Sequence, residues 1–162
     1  MSCYSAVRLQ LLVTLNAEYL KMQTDLFSGI SFISSGFLNI TPRNAYAEIL
    51  KGNATLIDVR EEYLTDVKRF DLPIVFYFPL STLKNNISKL PHDVPLIIAD
   101  AVGIRSHETM EILKANGFEN IVNLAGGIVD WERDGLPVKI DELEKLDGAC
   151  ICQLKPYGRL KK

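Results

Sequence analysis

The sequence predicts an α/β fold built on a central parallel sheet. Two observations predict it. Short apolar runs at 54–59, 74–78, 96–98 and 121–124 alternate with stretches of helical periodicity, and residues that favour turns separate the two. The chain has 162 residues, of which 48% are hydrophobic. A chain of this length and composition can bury one ordinary core and is short for two full domains.

Charge and cysteine content exclude several classes of protein. The formal net charge is −2 and the pI about 5.7, so no basic face for nucleic acid is expected. No apolar run approaches the roughly 18 residues that a membrane span needs, and the N-terminus lacks the pattern of a targeting signal. Three cysteines, all near the ends, do not make a disulfide framework. We therefore expect a cytoplasmic protein whose partners include neither nucleic acid nor membrane.

The first 36 residues are predicted to form a helical extension. An amphipathic helix is expected over about 5–26, because apolar residues recur there at helical spacing: Val7, Leu11, Leu15, Tyr19 and Met22. The helix is expected to cover the domain's own surface, and a homodimer contact is the alternative because the apolar stripe is long. The stretch 28–36 is expected to be extended or to form turns.

The domain itself is predicted from Phe37 to Val138. Thr41 followed by proline favours a helix start, with Thr41 as the N-cap. The buried face of that helix is expected to comprise Ala45, Tyr46, Ile49 and Leu50. Ser81 is expected to cap a second, short helix that ends near residue 87.

The central stretch, 95–113, is predicted to run from a buried strand through a tight loop into a helix. Ser106 is a candidate N-cap for this helix, and His107 on its first turn is expected to face solvent. Open α/β sheets place ligands where a strand's carboxyl end meets a helix N-terminus. Free backbone amides at that point favour an anion.

This stretch resembles the active-site loop of rhodanese-like domains, whose pattern is C-x-x-G-x-R-S with the cysteine as nucleophile. The matching residues are Asp100, Ala101, Val102, Gly103, Ile104, Arg105 and Ser106. Segments 57–61 (IDVRE), 79–81 (PLS), 125–128 (AGGI, followed by Trp131) and 135–138 (GLPV) are also similar to the family. The resemblance covers 37–138 and implies a rhodanese-like α/β fold, with helices on both faces of the parallel sheet and Trp131 in the core. The segment 68–73 lacks the family's glycine-histidine pattern.

The resemblance places Asp100 where the family has its cysteine. A cysteine thiolate attacks a sulfane-sulfur donor and then carries a persulfide, which a carboxylate cannot hold. The resemblance therefore implies no thiosulfate sulfurtransferase activity at this loop. Asp100 is expected to satisfy the loop amides itself, with Arg105 as a charge partner. Asp58 and Arg60 are expected to form a buried ion-pair network that supports the loops. A buried carboxylate needs a partner, so Asp58 is expected to contact a basic or N–H group. Ser106 is a further residue that is expected to support the loop.

The main hypothesis is a non-catalytic binding or regulatory module related to the proteins of sulfur metabolism. It needs no metal or cofactor, and its partner is a protein or a small anion. The alternative is a sulfurtransferase or sulfur-relay protein that uses Cys150 and Cys152, a C-x-C pair in the tail 139–162. A third hypothesis is a structural dimer formed through the N-terminal helix.

Overall fold

The computed structural model describes residues 26–141, together with the backbone of 146–147 and 155–156. The predicted N-terminal helix over 5–26 therefore lies almost wholly outside the described residues, as do Cys150 and Cys152. None of the helices within the described residues has both the length and the apolar character that crossing a membrane requires.

A six-stranded sheet, mostly parallel, forms the centre of the molecule. Its strands are β1 (Ser31–Ser34), β2 (Phe37–Ile40), β3 (Thr55–Asp58), β5 (Val75–Tyr77), β6 (Leu96–Ala99) and β7 (Ile121–Leu124). Their spatial order is β1-β2-β7-β6-β3-β5, and every neighbouring pair is parallel except β1 with β2. Two antiparallel ribbons lie apart from it: β4 (Lys68–Phe70) with β8 (Val138–Ile140), and β9 (Leu146–Asp147) with β10 (Lys155–Pro156).

The helices give the sheet a core on each face. They are α1 (Pro42–Leu50), α2 (Glu62–Val67), α3 (Leu80–Asn86), α4 (Arg105–Ala115) and α5 (Gly127–Arg133), with a 3₁₀ turn at Ile87–Lys89. One core cluster includes Ile97 and the fully buried Trp131, and the other includes Ile98 and Met110. Ile97 and Ile98 point to opposite faces because side chains alternate along a strand. The predicted α/β fold, with helices on both faces and Trp131 in the core, is confirmed.

The extended stretch before the domain forms the antiparallel edge of the sheet. Strand β1 turns into β2 through Ser35 and Gly36, whose φ angles are 52° and 78°. Ser34 and Phe37 are paired on either side of these two residues. Positive φ at both central residues is the signature of the type I′ hairpin, whose twist matches that of the strands it joins. An otherwise parallel sheet therefore carries one antiparallel edge strand.

Helix α1 begins as predicted and buries Ala45 and Ile49, but Leu50 lies outside its buried face. The Thr41 side chain accepts a hydrogen bond from the Asn44 amide at 3.4 Å, which confirms the N-cap. Leu50 is exposed, so its predicted place in the core was wrong. Glu48 is buried instead, and its carboxylate accepts hydrogen bonds from Lys51 Nζ at 2.7 Å and Asn53 Nδ2 at 2.8 Å. These bonds compensate for the burial of Glu48 in the last turn.

Ser81 does not cap helix α3, contrary to the prediction. The helix begins at Leu80, and the capping position is held by Pro79 without a side-chain hydrogen bond. Ser81 donates through its backbone amide and its Oγ to the carboxylate of Glu61, at 3.3 Å and 2.8 Å. Ser81 thus ties the start of α3 to the residue that precedes α2.

Candidate functional site

The candidate site lies at the carboxyl edge of the parallel strands. Strand β6 ends at Ala99, and residues 100–105, the 100–105 loop, lead into α4. Strand β3 brings Asp58 to one side of β6, and β7 leads into Gly126 and Gly127 on the other side. This is the position at which open parallel sheets place their sites.

The Asp100 carboxylate fills the inside of the 100–105 loop. Its side chain is buried, with 1% of the residue exposed. Oδ1 accepts hydrogen bonds from the amides of Val102, at 2.9 Å, and Gly103, while Oδ2 accepts from Ile104 at 3.1 Å and Arg105 at 2.5 Å. Four consecutive amides therefore converge on one carboxylate, as they would on a bound anion. The prediction that Asp100 satisfies the loop amides is met in this geometry.

The remaining side chains of the 100–105 loop differ in exposure. Ala101 and Val102 are half-buried, whereas Ile104 and Arg105 are exposed. Gly103 has a φ of 84° and is buried against Gly126, and a Cβ on Gly103 would lie 3.1 Å from the Gly126 amide nitrogen. The Arg105 backbone amide donates to the Asp100 carboxylate. That the Arg105 side chain is a charge partner of Asp100 stays a prediction.

Helix α5 holds the first residues of the 100–105 loop from behind. The amide of Ile128 donates to the Asp100 carbonyl at 3.0 Å, and that of Val129 donates to the Ala101 carbonyl at 3.2 Å. Gly127 allows this approach, because a Cβ built on it would lie 2.4 Å from the Asp100 carbonyl oxygen. Close backbone contact with the loop therefore explains Gly127, whereas Gly126 has a φ of 67° and a Cβ there would meet the Asp130 side chain.

Ser106 supports the loop but does not cap α4, so that prediction was wrong. The helix begins at Arg105, and Ile104, at the capping position, makes no side-chain cap bond. The first amides of the helix are already bonded to Asp100, which leaves Ser106 free for another role. Its buried Oγ donates to Asn123 Oδ1 at 2.5 Å.

A buried polar network that the sequence analysis missed continues from Ser106. Asn123 Nδ2 donates to Asn39 Oδ1 at 2.6 Å and to the Gly103 carbonyl at 3.4 Å, and lies 3.3 Å from His107 Nε2. The network joins β2, β7 and the 100–105 loop. Its signal in the sequence is a single asparagine within each of two otherwise apolar strands, because a buried amide needs partners.

His107 is half-buried, so the expectation that it faces solvent was wrong. Its ring stacks on Phe37, with centroids 4.3 Å apart and the planes 12° from parallel. The stacking partner comes from β2, which the sequence alone did not place beside the first turn of α4.

Asp58 and Arg60 form a buried ion pair on the other side of β6. Arg60 Nη2 lies 2.6 Å from Asp58 Oδ2, and Arg60 Nε donates to both carboxylate oxygens, at 2.9 and 3.1 Å. The Arg60 backbone amide adds a bond of 3.1 Å to Oδ1, and the guanidinium carbon lies 5.5 Å from the centre of the Phe70 ring. Asp58 thus has both the basic and the N–H partner that were predicted.

Tyr77 stands beside this pair, because β5 pairs with β3 so that Tyr77 is opposite Asp58. Partial burial raises the pKa of the Tyr77 phenol above its ordinary value of 10.0, and the negative charge of Asp58 adds to the rise. The positive charges of Arg69 and Arg60 oppose the rise.

Within the described residues, no three His, Cys, Asp or Glu side chains are grouped as metal ligands.

Two proteins that are similar to this chain in sequence are named as sulfurtransferases. The chain is 29% identical over 87 residues to a sulfurtransferase of Allochromatium vinosum. The aligned stretch covers 54% of this chain and 79% of that protein. The chain is 27% identical over 110 residues to the thiosulfate sulfurtransferase GlpE of Actinobacillus pleuropneumoniae serotype 5b. That alignment covers 66% of this chain and 97% of the GlpE protein.

Solved structures show the same similarity. A rhodanese-related protein of Thermoplasma volcanium matches with a TM-score of 0.57 at 29% identity, over 64% of this chain and 98% of that one. A rhodanese-like domain protein of Staphylococcus aureus matches with a TM-score of 0.55 at 27% identity, over the same shares. The family model described as "Rhodanese-like domain" matches residues 41–134, more than half of the chain. The chain therefore belongs to the rhodanese-like domain family.

Proposed function

We propose that this rhodanese-like domain is a non-catalytic binding or regulatory module that does not transfer sulfur at residue 100. The observation that carries the proposal is the buried Asp100 carboxylate, which accepts the amides of residues 102–105. The motif C-x-x-G-x-R-S, to which residues 100–106 are similar, supports the view that Asp100 replaces the nucleophilic cysteine. Two relatives are named as sulfurtransferases. Sulfur transfer is the activity that this chain would have lost.

The chemistry of sulfur transfer supports the proposal. A persulfide forms when a thiolate attacks the sulfane sulfur of thiosulfate and sulfite leaves, whereas a carboxylate oxygen is not such a nucleophile.

The partner class follows from what the filled loop leaves accessible. With its amides bonded to Asp100, the loop has few donors left for a small anion, and it presents the exposed side chains of Ile104 and Arg105. A loop already ordered by internal hydrogen bonds loses little conformational entropy on binding. We therefore favour a protein partner that contacts these two side chains over a small anion.

The test is mass spectrometry of the reduced full chain after incubation with thiosulfate, with peptide mapping of any added sulfur. Wild type should gain no sulfur, since neither Asp100 nor the tail thiols are expected to react. The Asp100→Cys variant, made together with Cys150→Ser and Cys152→Ser, should gain one sulfur atom at residue 100. Asp100→Ser in the same background is the matched control and should gain none.

One outcome would overturn the proposal directly. If wild type gains a sulfur atom that is absent from the Cys150→Ser/Cys152→Ser variant, sulfur chemistry resides on the tail and the protein is not a silent module. Thermal unfolding of each variant shows whether a negative result comes from a folded protein.

A further inference from the structure

Strand β5 is an edge of the central sheet and exposes apolar side chains. It pairs with β3 on one side, and no described strand pairs with its other side. Ile74, Phe76 and Tyr77 are 60%, 39% and 42% exposed. An edge strand with unpaired backbone groups and exposed apolar side chains is a template for a further strand. Strand β5 therefore offers an interaction surface that β3 separates from β6 and the 100–105 loop.

The hydrogen bonds to β3 show which backbone groups of β5 point outward. The Phe78 amide donates to the Asp58 carbonyl at 2.9 Å, and Asp58 is opposite Tyr77 in the register. Successive residues of a parallel strand direct their amide and carbonyl groups to opposite sides. Val75 and Tyr77 therefore direct these groups away from β3, where an added strand would pair with them.

The two faces of β5 lie over different parts of the core. Val75 packs against one core cluster, whereas Phe78 packs against the other. Because side chains alternate along a strand, Tyr77 shares the face of Val75, and Phe76 shares the face of Phe78. The Phe76 and Phe78 rings lie 6.5 Å apart, measured between their centres. An added strand lies in the plane of the sheet, so its alternate side chains reach both faces.

Two cations stand beside the face of β5 that carries Tyr77. On the β4–β8 ribbon Arg69 is directly opposite Lys139, and both are exposed. Neither forms an ion pair with another residue in the part of the chain that the structure describes. Partial burial and the Asp58 charge raise the pKa of the Tyr77 phenol, and Arg69 is close enough to oppose that rise. Like charges opposite each other destabilise a ribbon, and a carboxylate near them relieves the repulsion.

We propose that the β5 edge binds an extended acidic segment of a partner protein, which adds as a strand and directs its carboxylates to Arg69 and Lys139. The residues between the acidic ones are apolar and face Phe76. A second copy of this chain fits less well, because antiparallel pairing of two β5 edges about a twofold axis brings the cations of both copies to one face. The proposal does not depend on whether the 100–105 loop transfers sulfur.

The test is fluorescence anisotropy of a labelled synthetic peptide of about six residues, in which valine and glutamate alternate, titrated with the full chain. Wild type should bind it saturably, and the same peptide with lysine in place of glutamate should not bind. Arg69→Gln/Lys139→Gln should weaken binding at least about tenfold, because both charge contacts are lost. The matched control is Lys89→Gln/Lys114→Gln, which removes the same charge from exposed residues elsewhere and should change the affinity less than about twofold.

A second pair of variants tests the strand pairing. Tyr77→Pro removes the outward amide and leaves the bonds to β3, so it should abolish binding. Tyr77→Val keeps the amide and should bind within about threefold of wild type. Thermal unfolding shows that each variant is folded.

Several results would overturn the proposal. They are no saturable binding by wild type, equal affinity of wild type and Arg69→Gln/Lys139→Gln, or equal affinity of Tyr77→Pro and Tyr77→Val. A dimeric mass by light scattering that becomes monomeric in Tyr77→Pro would assign the edge to a second copy instead.

Discussion

Asp58 and Arg60 bury opposite charges at the carboxyl edge of the sheet, where each is the principal partner of the other. The exposed fractions of their side chains are 0% and 5%. A buried ion pair adds little net stability compared with a well-packed apolar pair, but the removal of one partner leaves an uncompensated charge. The pair is therefore sensitive to single substitutions.

We predict that Arg60→Met lowers the free energy of unfolding by about 3–5 kcal/mol, because the Asp58 carboxylate then stays buried without its counterion. Urea denaturation followed by circular dichroism measures the change. Arg69→Met is the matched control, since Arg69 is exposed on the neighbouring ribbon and should change stability by less than about 0.5 kcal/mol. Equal losses in the two variants would contradict this account of the pair.

Glu48 makes a stability contribution that depends on pH. Hydrogen bonds from the Lys51 side chain, and then from Asn53, hold the pKa of the Glu48 carboxyl below its ordinary value of 4.5. A lowered folded-state pKa gives stability that is complete above the ordinary value and is lost as the pH falls through the folded-state value.

We therefore predict that wild type exceeds Glu48→Gln in free energy of unfolding by about 1 kcal/mol near pH 6. The difference should shrink as the pH falls below about 4.5, because the wild-type carboxyl then becomes protonated. Urea denaturation at a series of pH values measures it, with the exposed Glu108→Gln as the control. A difference that stays constant down to about pH 3 would argue against this role for Glu48.

At the scale of elements, the 100–105 loop is held between its own carboxylate and the start of α5. The Asp100 side chain orders the loop amides from inside, and the amides of α5 bind the first two loop carbonyls from behind. The loop geometry thus depends on how closely α5 approaches, and Gly127 sets that distance.

We predict that Gly127→Ala lowers the free energy of unfolding by about 2–4 kcal/mol, since a Cβ there overlaps the Asp100 carbonyl in addition to straining φ. Gly135→Ala is the matched control. Its φ of 73° is similarly positive, but a Cβ would meet no atom within 4 Å, so only the backbone strain of about 1 kcal/mol remains. Thermal and urea unfolding compare the two, and a control loss as large as that of Gly127→Ala would rule out the contact as the cause.

For the molecule as a whole, the sequence predicted the fold well because apolar runs and turn residues report on local structure. The same reasoning from local sequence predicted that the Asp100 carboxylate would bond to the loop amides, because both belong to one short segment. It failed for Ser106 and Ser81, whose hydroxyls bond to groups brought near by tertiary contacts, Asn123 and Glu61. A capping motif in sequence cannot show that another group already occupies the helix amides.

Across the whole molecule, the feature on which the proposed function depends most is that Asp100 already fills the 100–105 loop by accepting the amides of residues 102–105. The most direct measurement is an NMR titration of the amides of residues 102–105 with thiosulfate, in wild type and in Asp100→Ala. We predict that the wild-type amide shifts stay unchanged, whereas those of the variant move and saturate as thiosulfate takes the place of the carboxylate. Saturable shifts of these amides in wild type would contradict the claim, because the loop would then still be open to an external anion.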